Sequence, residues 1–398
     1  MMHIAYIIDQ YPKVSEQFIE REITALRELG VHISVFSMHR PKGSEVPEDT
    51  IYFSLGKATQ GFLRNPIRSV LALIKGVFQS LCSLSGEPIR AVFAALALAA
   101  CENEMSPWHH VHGCFANTPA SVAMMYARLR GCSWSYSGHA RDVLIRPLQL
   151  RRKIAEAGRV CACTEFILDV LKKYATPEDQ DKVRLVRHGL PDELLNRLAG
   201  READDQQGPR RLLAVGRLVR KKGYDVLVEA VNLLLQDHVE VTCTIVGDGP
   251  ERDLLDDLIK KRHLDEVVTI TGEVLPEEVA EHYLRSDVFL MPSVVDEDGD
   301  RDGLPNALLE AAAARLPIVS TAVGGIGEFV CSNETGLIVT PKDAQGLADA
   351  IERLIGDRDL CLRLGENARR DVEKRFRVKD NAQRLAEACG WISFDSDR

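Results

Sequence analysis

The 398-residue chain has no run of eighteen apolar residues, so no helix is expected to span a membrane, which takes about 20. It has no basic start followed by a long apolar core. MMHIAYIIDQYP enters a strand at once and does not read as a signal peptide. The ten cysteines include no CxxC pair. They are scattered, mostly in apolar runs, which favours buried thiols in a reducing cytosol over disulfides or zinc. The βαβ pattern at the N-terminus, strand His3 to Asp9, helix Ser15 to Gly30 and strand His32 to Met38, carries no GxGxxG. The dinucleotide fingerprint is therefore missing.

What remains is an ordinary globular composition, 45% hydrophobic and 27% charged, and a length that suits two domains. Charge is divided unevenly. Residues 1–190 hold 23 Lys and Arg against 18 Asp and Glu, and the remainder 27 against 41. A basic first half can face anionic lipid or a phosphate-bearing acceptor, and no nucleic-acid partner is expected. The polar stretch Arg201 to Pro209 reads as the linker, with domains at 1–196 and 210–376. Both read as α/β, with strands and helices alternating about parallel, doubly wound sheets.

The stretch Val288 to Gly325 organises the chain. An apolar run of strand length, Val288 to Met291, leads into the acidic loop Asp296–Gly303. Pro305 stands where a first helical residue belongs, Pro305 to Ala314 reads as a closely packed helix, and Pro317 to Thr321 as a second buried strand. Ligands of such sheets sit where helices begin. The orphan N–H groups of Asn306 and Ala307 suit a phosphate. Glu310, one turn deeper on the face of Asn306, can accept hydrogen bonds from ribose hydroxyls. Arg217, Arg220, Lys221 and Lys222 follow the strand Leu212 to Val215, and such a cation cluster suits a diphosphate.

These residues carry a resemblance. DGLPNALLEA, flanked by SDVFLMPS and LPIVSTAVGG, resembles the signature of glycosyltransferase family 4, retaining enzymes of the GT-B fold. The spacing from Asp302 to Glu310 is kept, with Asp where Glu is usual. The resemblance implies two doubly wound Rossmann-like domains facing across a cleft, with the last helix, within 377–398, returning to the first. It implies that Asp302, with Gly303 and Leu304, holds the donor sugar and that Glu310 holds the ribose. GRLxxxKG selects Arg217 and Lys222 for the diphosphate and leaves Arg220 and Lys221 solvated. Gly272 to Val274 lies against the nucleobase. CSWSYSGHARD matches a serine-rich strand followed by His, two residues and Asp, which places His139 beside the donor sugar. Ser15 and Glu16 fall in a loop used near the acceptor, although Ser15 also serves as a plain helix N-cap.

The expected activity is transfer from a UDP- or GDP-linked sugar to a glycan or polyprenyl-linked acceptor. Relatives with a similar N-terminus, YPKVSEQFIEREI, build bacterial exopolysaccharide, colanic-acid type included, or lipopolysaccharide. A phosphorylase, a nucleotide-sugar epimerase and a non-catalytic glycan-binding protein share the architecture. Residues 61–84 read either as a basic helix lying on a membrane surface or as a packed crossover helix.

No metal is expected. Of His109, His110 and His112, only the last two share a strand face, with no acid or cysteine grouped with them. Asp298, Asp300, Asp302 and Gly303 fit the first, third, fifth and sixth places of a calcium loop, but its twelfth falls on Leu309, one residue short of Glu310. The acids before Asp302 are therefore expected to form a hydrated, mobile loop.

Overall fold

The computed structural model describes residues 2–13, 16–41, 50–64, 87–101, 108–145, 147–201 and 209–392, with positions 47, 66, 70, 71 and 74. Ser15, most of 61–84 and most of the 201–209 linker lie outside the described residues. The chain divides into two units, Met1–His188 with Val378–Arg398, and Gly189–Arg377.

Among the described residues the first unit holds seven parallel strands: β1 (His3–Gln10), β2 (His32–His39), β3 (Thr50–Tyr52), β4 (His110–Gly113), β5 (Ser133–Gly138), β6 (Arg159–Ala162) and β7 (Val183–Leu185). Their order is β3-β2-β1-β4-β5-β6-β7. Ile4 to Ile8 have no exposed surface, because helices cover both faces of a parallel sheet. A continuous apolar run therefore replaces alternation. The helix Thr118–Arg130 is buried along almost its whole length. It packs against both the sheet and the helix Glu87–Cys101. The last helix, Val378–Ala388, packs against the helix Gln17–Glu28, burying Leu385, Ala386 and the following Trp391 among Ile4, Tyr6 and Ile8.

The second unit holds β8 (Arg210–Val215), β9 (Val241–Val246), β10 (Val268–Gly272), β11 (Val288–Met291), β12 (Ile318–Thr321) and β13 (Leu337–Val339). They are parallel, in the order β10-β9-β8-β11-β12-β13. Strand order reverses between β8 and β11, so the loops after these two strands flank the switch point of the sheet. The helix Asn306–Ala313 has five of its eight residues buried, three of them alanines, and these small side chains let it lie close to β11 and β12.

Two local expectations shift. Residues from Gly189 onward belong to the second unit, so the boundary falls before 196. Leu190, Leu195 and Leu198 bury in its core, and Leu190 N–H donates to Phe376 O at 2.8 Å. Pro305 is the N-cap, in extended backbone, and the helix starts one residue later.

Candidate active site

In the second unit the loops after β8 and β11 are held together by close backbone contact. The turn Arg220–Lys222 ends at Gly223, which has φ +66°, and a Cβ there would lie 2.1 Å from Pro292 O. Only glycine accepts that backbone at that distance. Gly324, with φ +60°, is similarly placed, and its Cβ would lie 1.9 Å from Asp302 O. These contacts bring the lysine turn and the acidic loop together. Lys222 Nζ donates to Asp302 Oδ2 at 2.8 Å, and Ser293 Oγ donates to the same oxygen at 3.0 Å. Lys221 Nζ lies 3.5 Å from Asp302 Oδ1 and 3.2 Å from Asp300 Oδ1. Lys222, Ser293, Asp300 and Asp302 are all buried. Burial alone would raise the Asp302 carboxyl. The ammoniums of Lys222 and Lys221, with the bonds from Lys222 and Ser293, outweigh it and hold the carboxyl below its ordinary value.

This corrects two expectations. Lys221 is not solvated, because it bridges two carboxylates. Among the acids before Asp302, Asp300 departs from the hydrated loop, while Glu297 and Asp298 are exposed. Asp300 is only 5% exposed, its carbonyl accepts from Asp296 N–H at 2.8 Å, and its own N–H donates to Asp298 Oδ1 at 2.8 Å. The cause is Lys221 of the cationic turn, which gives Asp300 a partner inside the protein. Arg220 fits the solvated reading: its pair with Glu297 is exposed on both sides and contributes little.

Glu310 is half-buried one turn into the helix Asn306–Ala313. The Tyr283 hydroxyl lies 3.2 Å from its Oε2 and 3.3 Å from Ala307 O. Asn306 and Ala307 form the helix start, half-buried. Gly303 O accepts from Gly325 N–H at 2.9 Å, and Leu304 is half-buried beside it. Arg217 is exposed just beyond β8. Gly272 ends β10 with φ +79°, and Val274 packs on the core below the helix Pro276–Arg285. Tyr283 and Ser293 are site residues that the sequence did not single out, and Lys221 is one it named in the cation cluster but left solvated.

In the first unit His139 stands at the carboxyl end of β5 and caps the helix Ala140–Leu144. Its N–H donates to Asp142 Oδ1 at 2.9 Å, and Ala116 N–H donates to Oδ2. Lys153, wholly buried, donates to Ala116 O at 2.6 Å and Asn117 O at 2.9 Å. Burial lifts the Asp142 carboxyl to about 7, against those N–H donors and Lys153. The Nε2 atoms of His139 and His188 are 3.0 Å apart, with the rings of Phe18 and Phe115 against His139. Burial, then His188 and His112, hold the His139 imidazole well below its usual range, and burial lowers His188 to about 4. Both rings are neutral near pH 7. Glu16 pairs with Lys13.

His110 and His112 do share a face, and serines of β5 tie them into one ladder. His110 bonds Ser133 and Ser135, each at 2.7 Å, and His112 bonds Ser135 at 2.7 Å and Ser137 at 3.1 Å. Trp391 rests edge-on against both rings.

Comparison with known proteins agrees with this fold. Residues 201–371 match the family model of glycosyl transferases group 1. The putative colanic acid biosynthesis glycosyltransferase WcaL of Escherichia coli (strain K12) is 26% identical over 94% of this chain and 96% of its own. The amylovoran biosynthesis glycosyltransferase AmsK of Erwinia amylovora is 36% identical over 63% of this chain and 61% of its own. The crystal structure of Anabaena Alr3699/HepE in complex with UDP superposes with a TM-score of 0.73, at 16% identity, over 98% of this chain and 100% of that one. At that identity the likeness speaks to the fold. Two doubly wound parallel units make the fold GT-B. The family match covers residues 201–371 of the second unit, and with the named relatives it makes the chain a nucleotide-sugar-dependent glycosyltransferase.

Proposed function

We propose that the enzyme moves a sugar from a UDP- or GDP-linked donor, with retention at the anomeric carbon, to a hydroxyl of a glycan or polyprenyl-linked acceptor, and so builds a bacterial cell-surface polysaccharide. The observation that carries this reading is the buried Lys222–Asp302 pair set beside a helix with Glu310 one turn in. Such a pair keeps a carboxylate ionised and oriented where sugar hydroxyls need an acceptor. Lys222 gives one of its three protons to Asp302 and points another at Met291 Sδ, 3.9 Å away, which leaves the third for a phosphate oxygen. Arg217 and the N–H groups of Asn306 and Ala307 add positive charge as the diphosphate departs. Glu310 holds the ribose, Gly272 and Val274 the base, and His139, kept neutral, a donor hydroxyl. The relatives named for colanic acid and amylovoran biosynthesis support the polymer.

The test is release of nucleoside diphosphate from a panel of nucleotide-sugars with and without acceptor glycan. Release that requires the acceptor is expected. Acceptor-independent turnover, or consumption of inorganic phosphate, would reject the reading.

Roles within the site separate by titration calorimetry. Glu310→Ala should weaken the nucleoside diphosphate itself, while Asp302→Asn, which keeps an oxygen acceptor for Lys222 and Ser293, should spare it and weaken only the nucleotide-sugar. Equal losses for both ligands in both variants would refute this division. Transfer should also persist in excess EDTA, because Asp300 and Asp302 already have lysine partners and the diphosphate has cations of its own. Loss of activity in EDTA, restored by Mg²⁺ or Mn²⁺, would count against it.

A further inference from the structure

The parallel order of the first sheet sets three neighbouring strands side by side, β5, β6 and β7, with their carboxyl ends on one edge. Each carries a metal-ligating side chain just beyond that end: His139 directly after β5, Cys163 directly after β6, and His188 shortly after β7. One ring nitrogen from each histidine and the Cys163 sulfur all lie within 4.8 Å of one another. We propose that His139, Cys163 and His188 bind a zinc ion, and that the bound ion inhibits sugar transfer.

The chemistry of the donors selects the metal. Two imidazoles and a thiolate form a borderline-soft set that suits Zn²⁺ and fits neither Mg²⁺ nor Ca²⁺, which take oxygen. Tetrahedral zinc, with bonds of roughly 2.0–2.3 Å, spaces its ligands about 3.3–3.8 Å apart. The two Nε2 atoms are at 3.0 Å, so the rings part slightly and the sulfur closes in. A water completes the shell.

Two further features point the same way. The Nδ1 atoms of both His139 and His188 are buried without a hydrogen-bond partner. In the contact between the rings one Nε2 donates and the other accepts, which leaves one Nδ1 carrying an unmatched proton and the other an unmatched lone pair. The apoprotein arrangement is thus incompletely satisfied, and an ion that takes one nitrogen from each ring replaces this contact. Glu22, a buried carboxylate, lies 3.9 Å from His188 Nδ1. A carboxylate facing the far nitrogen of a ligating histidine is the usual orienting partner in zinc sites. Inhibition, though not binding, rests on the role proposed for His139, because an imidazole that ligates zinc cannot also hold a sugar hydroxyl.

The experiment titrates the full-length protein with Zn²⁺ against a chromophoric chelator and, separately, with Co²⁺. One equivalent should bind, and Co²⁺ should give a thiolate charge-transfer band. Cys163→Ser should abolish the band. His188→Gln should weaken zinc more than tenfold, and Glu22→Gln by about 10–100-fold. Cys163→Ser should keep basal transfer and its melting midpoint in EDTA, while losing inhibition by zinc. Zinc binding that survives Cys163→Ser and His188→Gln unchanged would overturn the site, as would the absence of a cobalt–thiolate band. Stoichiometric binding that leaves transfer untouched would overturn the inhibition, and with it the place given to His139.

Discussion

Alanine at position 217 should lower turnover by about 10²–10³, the effect of one electrostatic donor lost from a developing charge, and should leave the fold unchanged. Arg217 is exposed. It makes no side-chain hydrogen bond or ion pair within the described residues, so its removal strands no buried partner. Lys222 offers a poorer test of the same idea. Its ammonium is bonded to Asp302 inside the protein, and Lys222→Met would leave that carboxylate with Lys221 and Ser293 alone. Breaking a buried pair from one side costs about 3–5 kcal/mol, so lost activity there would mix folding with chemistry. Steady-state turnover of Arg217→Ala, with a thermal melt alongside, decides the matter. Full turnover in the folded variant would remove Arg217 from the diphosphate site.

The sequence makes legible what is encoded within a few residues. Val288 to Gly325 forms the expected strand, loop, helix and strand, because apolar runs of strand length and a proline-led alanine helix are local signals. Strand alternation likewise places His110 and His112 on one face. The partners of these residues are set by sheet order and register, which no local pattern holds. Lys221 reaches Asp300 across 79 positions, and His139 reaches His188 across 49. The serines beside the histidines depend on the pairing of β4 with β5. For the same reason, Asp300 reads as solvated until Lys221 is set against it. The His139, Cys163 and His188 trio has no motif spacing and exists only because β5, β6 and β7 are neighbours.

The first unit should lose stability steeply between about pH 6.5 and 4.5. Burial holds His110 at about 4. Burial, followed by the neighbouring His110, holds His112 well below its ordinary 6.5. His188 and His139 are lowered as well. Each of the four stays neutral in the fold and takes up a proton on unfolding, so stability falls as pH drops below 6.5. Glu22 and Asp142 oppose this. Burial raises both to about 7, against the hydrogen bond from Tyr6 in one case and the backbone donors and Lys153 in the other. Each is protonated in the fold while its unfolded counterpart is still ionised, so acidification favours the fold through these two. Four protons taken up on unfolding against two released leave about two, or roughly 2.7 kcal/mol of stability lost per pH unit. That slope is large against a typical domain stability of about 5–15 kcal/mol. All three tryptophans, Trp108, Trp134 and Trp391, lie in the first unit, so tryptophan fluorescence in denaturant follows this unit alone. His110→Gln with His112→Gln keeps amides for the serines, removes two of the protons and should flatten the slope to near zero. Glu22→Gln removes one opposing proton and should steepen the slope by about half, to roughly three protons. A slope that the double variant leaves unchanged, or that Glu22→Gln makes shallower, would show that the buried ladder does not set the acid limit of this unit.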